Sequence, residues 1–264
     1  MRHSPGTEFA LLARAPDEAL DLERLVISVA RMGTPSLDPA AVSATLDTLA
    51  EQIADDVRPS APPDELAAAL AATIGGRLGF QGSPEVFGGA EGSYLDQVLE
   101  RRTGLPILLA IVWMLLGRRL GVPIHGIGYP GHFLAAIQLP GVRLFVDPFA
   151  GGQPREAADL LARLPPGAGR GFLDPSPTRA IVTRVLVNLK HLWIGASDHE
   201  RALGAVDRIL LLGGEVPTEL RDRGLLALRV GRTSEGRRDL ERYLVVASGA
   251  SDRADVEKVL GRIK

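Results

Sequence analysis

Two residues in this sequence have the types and placement for acid–base chemistry. His132 and Asp147 stand in short apolar stretches on either side of Leu139-Pro140-Gly141-Val142, a hairpin signal. A carboxylate that reaches an imidazole selects the ring tautomer and raises its basicity, the arrangement that activates nucleophiles in triads. If Pro140-Gly141 is the tip of the loop, His132 faces Phe149 and Asp147 faces Leu134. The pair are then diagonal neighbours on one face, roughly 7–8 Å apart at the backbone, and their side chains can meet. The plainer alternative is that Asp147-Pro148 starts a turn and His132 is a half-buried strand residue with a satisfied hydrogen bond.

Such a pair needs a third group that attacks, and the usual one is missing. The 264 residues include no cysteine, which excludes disulfides, thiolate metal sites and a thiol nucleophile. Ser93, Thr103 and Tyr129 are the hydroxyls near the motif. Ser93 reads more simply as the cap of a short helix carrying Tyr94, Leu95, Val98 and Leu99. Thr103 reads as a turn residue before Gly104-Leu105-Pro106, and Tyr129 as a packing or capping residue at a strand end. His125, His132 and Asp147 have acceptable metal-ligand types. Gly126, Gly128, Pro130 and Gly131 leave the two imidazoles without a fixed relative direction, so no metal and no cofactor is expected. His3, His191 and His199 are scattered, and His191, two residues from Trp193 on an apolar helix, is expected in a core or interface. Gly88-Gly89-Ala90-Glu91-Gly92 lacks the lysine and the serine or threonine of a phosphate loop and reads as a flexible rim.

The elements that must position these residues follow from periodicity and punctuation. Apolar spacing predicts helices over 8–14 and 19–32. Asp38-Pro39 is a start signal for the next helix, and Pro62-Pro63-Asp64 opens another that ends near Gly75-Gly76. Residues 80–92, rich in glycine, read as loop. Pro106 suits a first helical turn, where a missing N–H costs nothing. Arg118 and Arg119 favour the helix's C-terminus, and Gly121 its left-handed cap. Strands are expected over 123–129, 132–139 and 142–147. Farther on, HERALGAVDRILLL (199–212) aligns with TSEGRRDLERYLVV (233–246) at an offset of 34 residues, the period of a tetratricopeptide helix pair.

The bulk numbers are those of a globular chain, 45% hydrophobic and 23% charged. A net charge of −2 gives no basic footprint for nucleic acid. The apolar run 105–116 is well short of the roughly 20 residues needed to cross a bilayer. Acids interrupt any leader-like run near the start, so the expected location is cytoplasmic, with no membrane association.

SYLDQVLERRTGLPILLAIVWMLLGRRLGVP, PGHFLAAI and FVDPFAGG together resemble the SirB-type branch of the transglutaminase-like superfamily. Arg221-Asp222-Arg223-Gly224 and Asp239-Leu240-Glu241-Arg242-Tyr243-Leu244 extend the likeness into the tail. In that superfamily a cysteine begins the helix that ends in a Gly-Ile-Pro-like turn. Setting Gly121-Val122-Pro123 on that turn puts Pro106 at the cysteine position. Where members of the branch often have Asn before Ser-Tyr-Leu, this chain has Gly92. The resemblance implies an α+β fold: a helical N-terminal region (1–79), a transglutaminase-like, papain-like core with a small antiparallel sheet (80–163), a linker (164–178) and an all-α tetratricopeptide-like tail (179–264). It implies that His132 and Asp147 are a retained catalytic pair whose nucleophile is missing. Ser93, Tyr94, Thr103, Pro106, Tyr129, Gly131 and Phe133 are the expected binding residues around it. The function expected is a non-catalytic protein that binds a protein or peptide partner in a regulatory or accessory role. The alternative is a hydrolase or acyl-transfer enzyme that uses His132 and Asp147 with activated water or a non-cysteine nucleophile.

Overall fold

The computed structural model describes residues 5–167 and 169–263. His3 lies outside the described residues. By the density of their internal contacts, residues 21–181 form one compact unit, and residues 1–20 with 182–264 form a second. In chain order, α1 (Pro5–Leu12) precedes α2 (Leu22–Ala30), α3 (Pro39–Ile53) and α4 (Pro63–Leu70). Asp21 caps α2 by accepting the Arg24 amide, and Asp38 caps α3 by accepting the Ala40 amide ahead of Pro39. α4 runs on as a wider π-helical turn, Ala71–Arg77.

The stretch expected as loop before the motif contains two short 3₁₀ turns, Pro84–Gly88 and Glu91–Ser93. Ser93 is the last residue of the second turn and does not cap α5 (Leu95–Arg101); that position belongs to Tyr94, without a side-chain hydrogen bond. Arg102 ends α5 in the left-handed conformation. α6 (Pro106–Leu120) starts with proline and ends at Gly121, whose φ is +70°. Its residues from Ile107 to Trp113 are all buried, so α6 is the apolar rod of this unit. Arg118 and Arg119 do more than face helix carbonyls. Both bond the buried Glu23 of α2, which also accepts from Ser43 of α3 at 2.6 Å, so one carboxylate ties three helices together.

The sheet is an antiparallel meander of β1 (Ile124–Ile127), β2 (Leu134–Leu139), β3 (Val142–Asp147) and β4 (Gln153–Arg155), in that order. Leu139 pairs with Val142 and Ala135 with Val146, the register that a Pro140-Gly141 tip requires. α6 packs against β1 and β2. A second cluster unites Ile127, Leu134, Ala136 and Phe145 with Leu160 of α7 (Ala157–Ala162) and with Leu173. The segment after α7 is bonded to the sheet: the Ser176 amide donates to Gly126 O at 2.8 Å, and Arg143 donates to Leu173 O at 3.1 Å.

α8 (Thr178–Gly195), α9 (His199–Gly213), α10 (Pro217–Arg229), α11 (Thr233–Val246) and α12 (Arg253–Arg262) follow. The two aligned segments are α9 and α11, with α10 between them, as a helix-pair repeat demands. Gly224 of α10 and Gly236 of α11 lie in close apposition, so the helices pack closely. His191, expected in a core or interface, is exposed on α8 because the apolar face of that helix carries Val185, Leu186 and Leu189 instead.

Candidate functional site

His132 stands just before β2, on a turn held by its own amide donating to Tyr129 O at 3.0 Å. Gly131 in that turn has a φ of +69°, which a residue without Cβ adopts freely. Asp147 is the last residue of β3 and caps the 3₁₀ turn Pro148–Ala150. The hairpin register brings the two side chains together: His132 Nε2 lies 2.9 Å from Asp147 Oδ1.

Asp147 is almost fully buried, and both its oxygens are occupied. Oδ1 also accepts the amides of Phe149 (3.1 Å) and Ala150 (3.3 Å), while Oδ2 accepts Arg155 at 2.8 Å. Burial alone would raise this carboxyl, but the hydrogen bonds from His132 and Arg155 outweigh it and hold the group below its ordinary range. An ionised Asp147 requires the imidazole to donate from Nε2, which makes Nδ1 the basic nitrogen of the neutral ring. The His132 side chain is 28% exposed, against 6% for Asp147, so the acid orients from inside and the imidazole is the more exposed member of the pair. The Phe149 ring meets the imidazole edge-on at 6.0 Å, and Phe87, itself exposed, tilts against Phe149 at 5.8 Å.

The other expected site residues have varied placements. Tyr129 donates its hydroxyl to Leu160 O at 2.7 Å, so that oxygen serves packing. Tyr94 is buried, its ring against Gly33, and Phe133 is buried against Gly126. Ser93 is buried in its 3₁₀ turn. Thr103 Oγ1 is buried and has no hydrogen-bond partner among the described residues. Pro106 occupies the first turn of α6 with neither thiol nor hydroxyl. His125 is half-buried on β1, where burial and the nearby Arg143 hold its imidazole below the ordinary range. Among the described residues, no cluster of three His, Asp or Glu side chains could hold a metal ion. No single described helix is long and apolar enough to cross a membrane.

Sequence reasoning missed Arg155 and the strand that carries it. Gln153-Pro154-Arg155 has no alternation of apolar and polar residues and contains a proline, so its only signal was the preceding Gly151-Gly152 turn. Phe149, which meets the imidazole, and Phe87, which tilts against Phe149, were likewise not singled out as binding residues.

Comparison with known proteins agrees with this architecture. Residues 40–187 match the family described as the transglutaminase-like superfamily, and residues 189–263 match the tetratricopeptide repeat. A UPF0162 protein of Xylella fastidiosa strain 9a5c is 36% identical over 242 residues, which cover 88% of this chain and 86% of the relative. The UPF0162 protein PA3419 of Pseudomonas aeruginosa is 28% identical over 87% of this chain and 86% of its own. The UPF0162 protein YchA of Escherichia coli K12 is 27% identical over 76% of each. No solved structure matches. With the family's pattern spanning the sheet and α6, and a relative of this similarity along nearly its whole length, the chain belongs to the transglutaminase-like superfamily, among the UPF0162 proteins.

Proposed function

We propose that this chain is a non-catalytic transglutaminase-like protein, of the SirB type, that binds a protein or peptide partner as a cytoplasmic regulatory or accessory factor. One observation carries the reading: proline begins α6 where the superfamily's thiol belongs, and the sequence has no cysteine to replace it. A thiolate at a helix N-terminus is favoured by the helix dipole and by a neighbouring imidazole; proline has no atom that can serve. The His132–Asp147 pair then works as a rigid hydrogen-bonding feature with the Phe149 ring beside it and Phe87 against that ring. Aromatic rings beside an oriented polar group are a common basis for peptide recognition. The tetratricopeptide-like tail supports protein–protein interaction in general.

The test is affinity capture with wild type and His132→Ala, both checked for native circular dichroism. Selective loss of one partner from the variant is expected. Turnover of acyl or amide substrates that disappears in His132→Ala would overturn the non-catalytic reading.

A second reading keeps the pair as a general base for a hydroxyl or for water. The observation in its favour is the buried, unpartnered hydroxyl of Thr103, three residues before Pro106. Labelling by a serine/threonine-hydrolase probe, lost in both Thr103→Val and His132→Ala, is the result that would establish it.

A further inference from the structure

Away from the His132–Asp147 pair, the edge of the sheet is unevenly covered. β3 has six residues, but β4 pairs only with Phe145, Val146 and Asp147. β4 stops there because Glu156 leads into α7. Val142, Arg143 and Leu144 therefore have no strand beside them on that side. The backbone of Arg143 is directed into this gap. The amide of Gln138, its cross-strand partner, donates to Pro123 O at 2.9 Å, toward β1. Residues of an antiparallel pair alternate between hydrogen-bonded and non-hydrogen-bonded positions. Gln138 and Arg143 are thus a non-hydrogen-bonded pair, and the N–H and C=O of Arg143 turn away from β2.

Beside this gap lies a groove of about 810 Å³, lined by Val142, Leu144 and Val146 of β3, by Ala67 and Ala68 of α4, and by Ala71. Its volume falls in the range of sites that hold a ligand. The alanines recur with Asp64 at helical spacing, so this face of α4 and of the turn after it carries one carboxylate and otherwise only methyl groups, which leaves a slot. The groove's charges are not balanced. Its two arginines are already engaged, Arg143 with Gln138 and Asp174 and Arg155 with Asp147. Asp64 and Glu156, also in the lining, have no ion-pair partner among the described residues.

We propose that this groove docks an extended, basic segment of a partner protein. The segment lies beside Val142–Leu144 as an added strand and exchanges backbone hydrogen bonds with Arg143. An aliphatic side chain sits against Ala67, Ala68 and Ala71, and flanking lysines or arginines face Asp64 and Glu156. Strand addition supplies affinity through the main chain, and the slot and the two acids supply selectivity.

The probe is a fluorescein-labelled Lys-Val-Lys-Val-Lys peptide titrated with the full chain and read by anisotropy. Saturable binding is expected, with hydrogen exchange at the Arg143 amide slowed in the complex. Glu-Val-Glu-Val-Glu, and the lysine peptide N-methylated at alternate residues, should each bind at least about tenfold more weakly. These comparisons use the wild-type protein, so they do not depend on any variant folding. Ala68→Phe, at an exposed position, fills the slot and should weaken binding by a similar factor. Absence of saturable binding, equal binding of the three peptides, or undiminished binding by Ala68→Phe overturns the proposal. The capture experiment tests the surface at His132 and this titration tests the groove, so either reading can fail alone.

Discussion

The two oxygens of Asp147 serve different neighbours: Oδ1 holds the imidazole and the turn after β3, and Oδ2 holds β4 through Arg155. Arg155→Met removes the donor to Oδ2 and leaves a buried carboxylate oxygen unpaired, which costs about 1–3 kcal/mol. Thermal melting should show a drop of several degrees, while His132→Ala, at a half-exposed position, lowers the midpoint less. The same carboxylate makes stability depend on pH. Its folded-state pKa is depressed, so its contribution is fully present above the unfolded value of about 4 and is lost as pH falls through the folded value. In urea titrations across the acid range, Asp147→Asn should therefore lose less stability than wild type as pH falls below about 4. At this scale the sequence was legible where a turn set the geometry. The Pro140-Gly141 tip alone was enough to predict that His132 and Asp147 are diagonal neighbours. Arg155 was not legible, because three residues around a proline carry no period, and Tyr129 found its partner on a helix 31 residues away.

Among the elements, α6 and the capped helices were readable because their signals are local: a proline at the start, a glycine at the end, an aspartate at the cap. The π-helical turn Ala71–Arg77 was not, since nothing in Ala-Ala-Thr-Ile-Gly-Gly-Arg distinguishes it from an ordinary helix end; its reason is tertiary. A Cβ on Gly75 would stand 1.9 Å from the Gly151 carbonyl oxygen, so the turn lies directly against the loop between β3 and β4. Gly152 in that loop has a φ of +89°, and a Cβ there would stand 2.6 Å from the Trp113 ring of α6. Gly75→Ala and Gly152→Ala should each destabilise by about 1–3 kcal/mol, the cost of overpacking and backbone strain. Chemical denaturation checks this, with Gly76→Ala, which meets only ordinary contact, as the control within about 1 kcal/mol of wild type. Asp38→Ala, by contrast, removes a cap and should cost about 1 kcal/mol.

For the whole molecule, ionisable groups buried in each compact unit set opposite limits on stability. Glu23, in the unit of residues 21–181, is raised by burial but lowered further by Arg119, Ser43 and Arg118, so it adds to the acid limb beside Asp147. Lys190, in the other unit, is buried and bonded to Glu219 (2.8 Å) and Asp222 (3.0 Å). Burial lowers its ammonium, but the two carboxylates outweigh that and raise it. Its contribution is present below the unfolded value of about 10.4 and is lost as pH rises through the higher folded value. Lys190→Ala, which strands Glu219 without its cation, should cost about 3–5 kcal/mol near neutrality and flatten the alkaline limb; denaturation between pH 7 and 11 measures both. The 34-residue offset made the tail's helix pairing readable, but no periodicity announces that a lysine inside it is buried. One consequence of β4 concerns solubility. Its Gln153 and Arg155 pair with β3, so the outward backbone position between them is Pro154, which has no N–H to offer. Along β4, therefore, the border of the sheet gives a neighbouring copy no ladder to climb, and that stretch is guarded against fibrillar stacking.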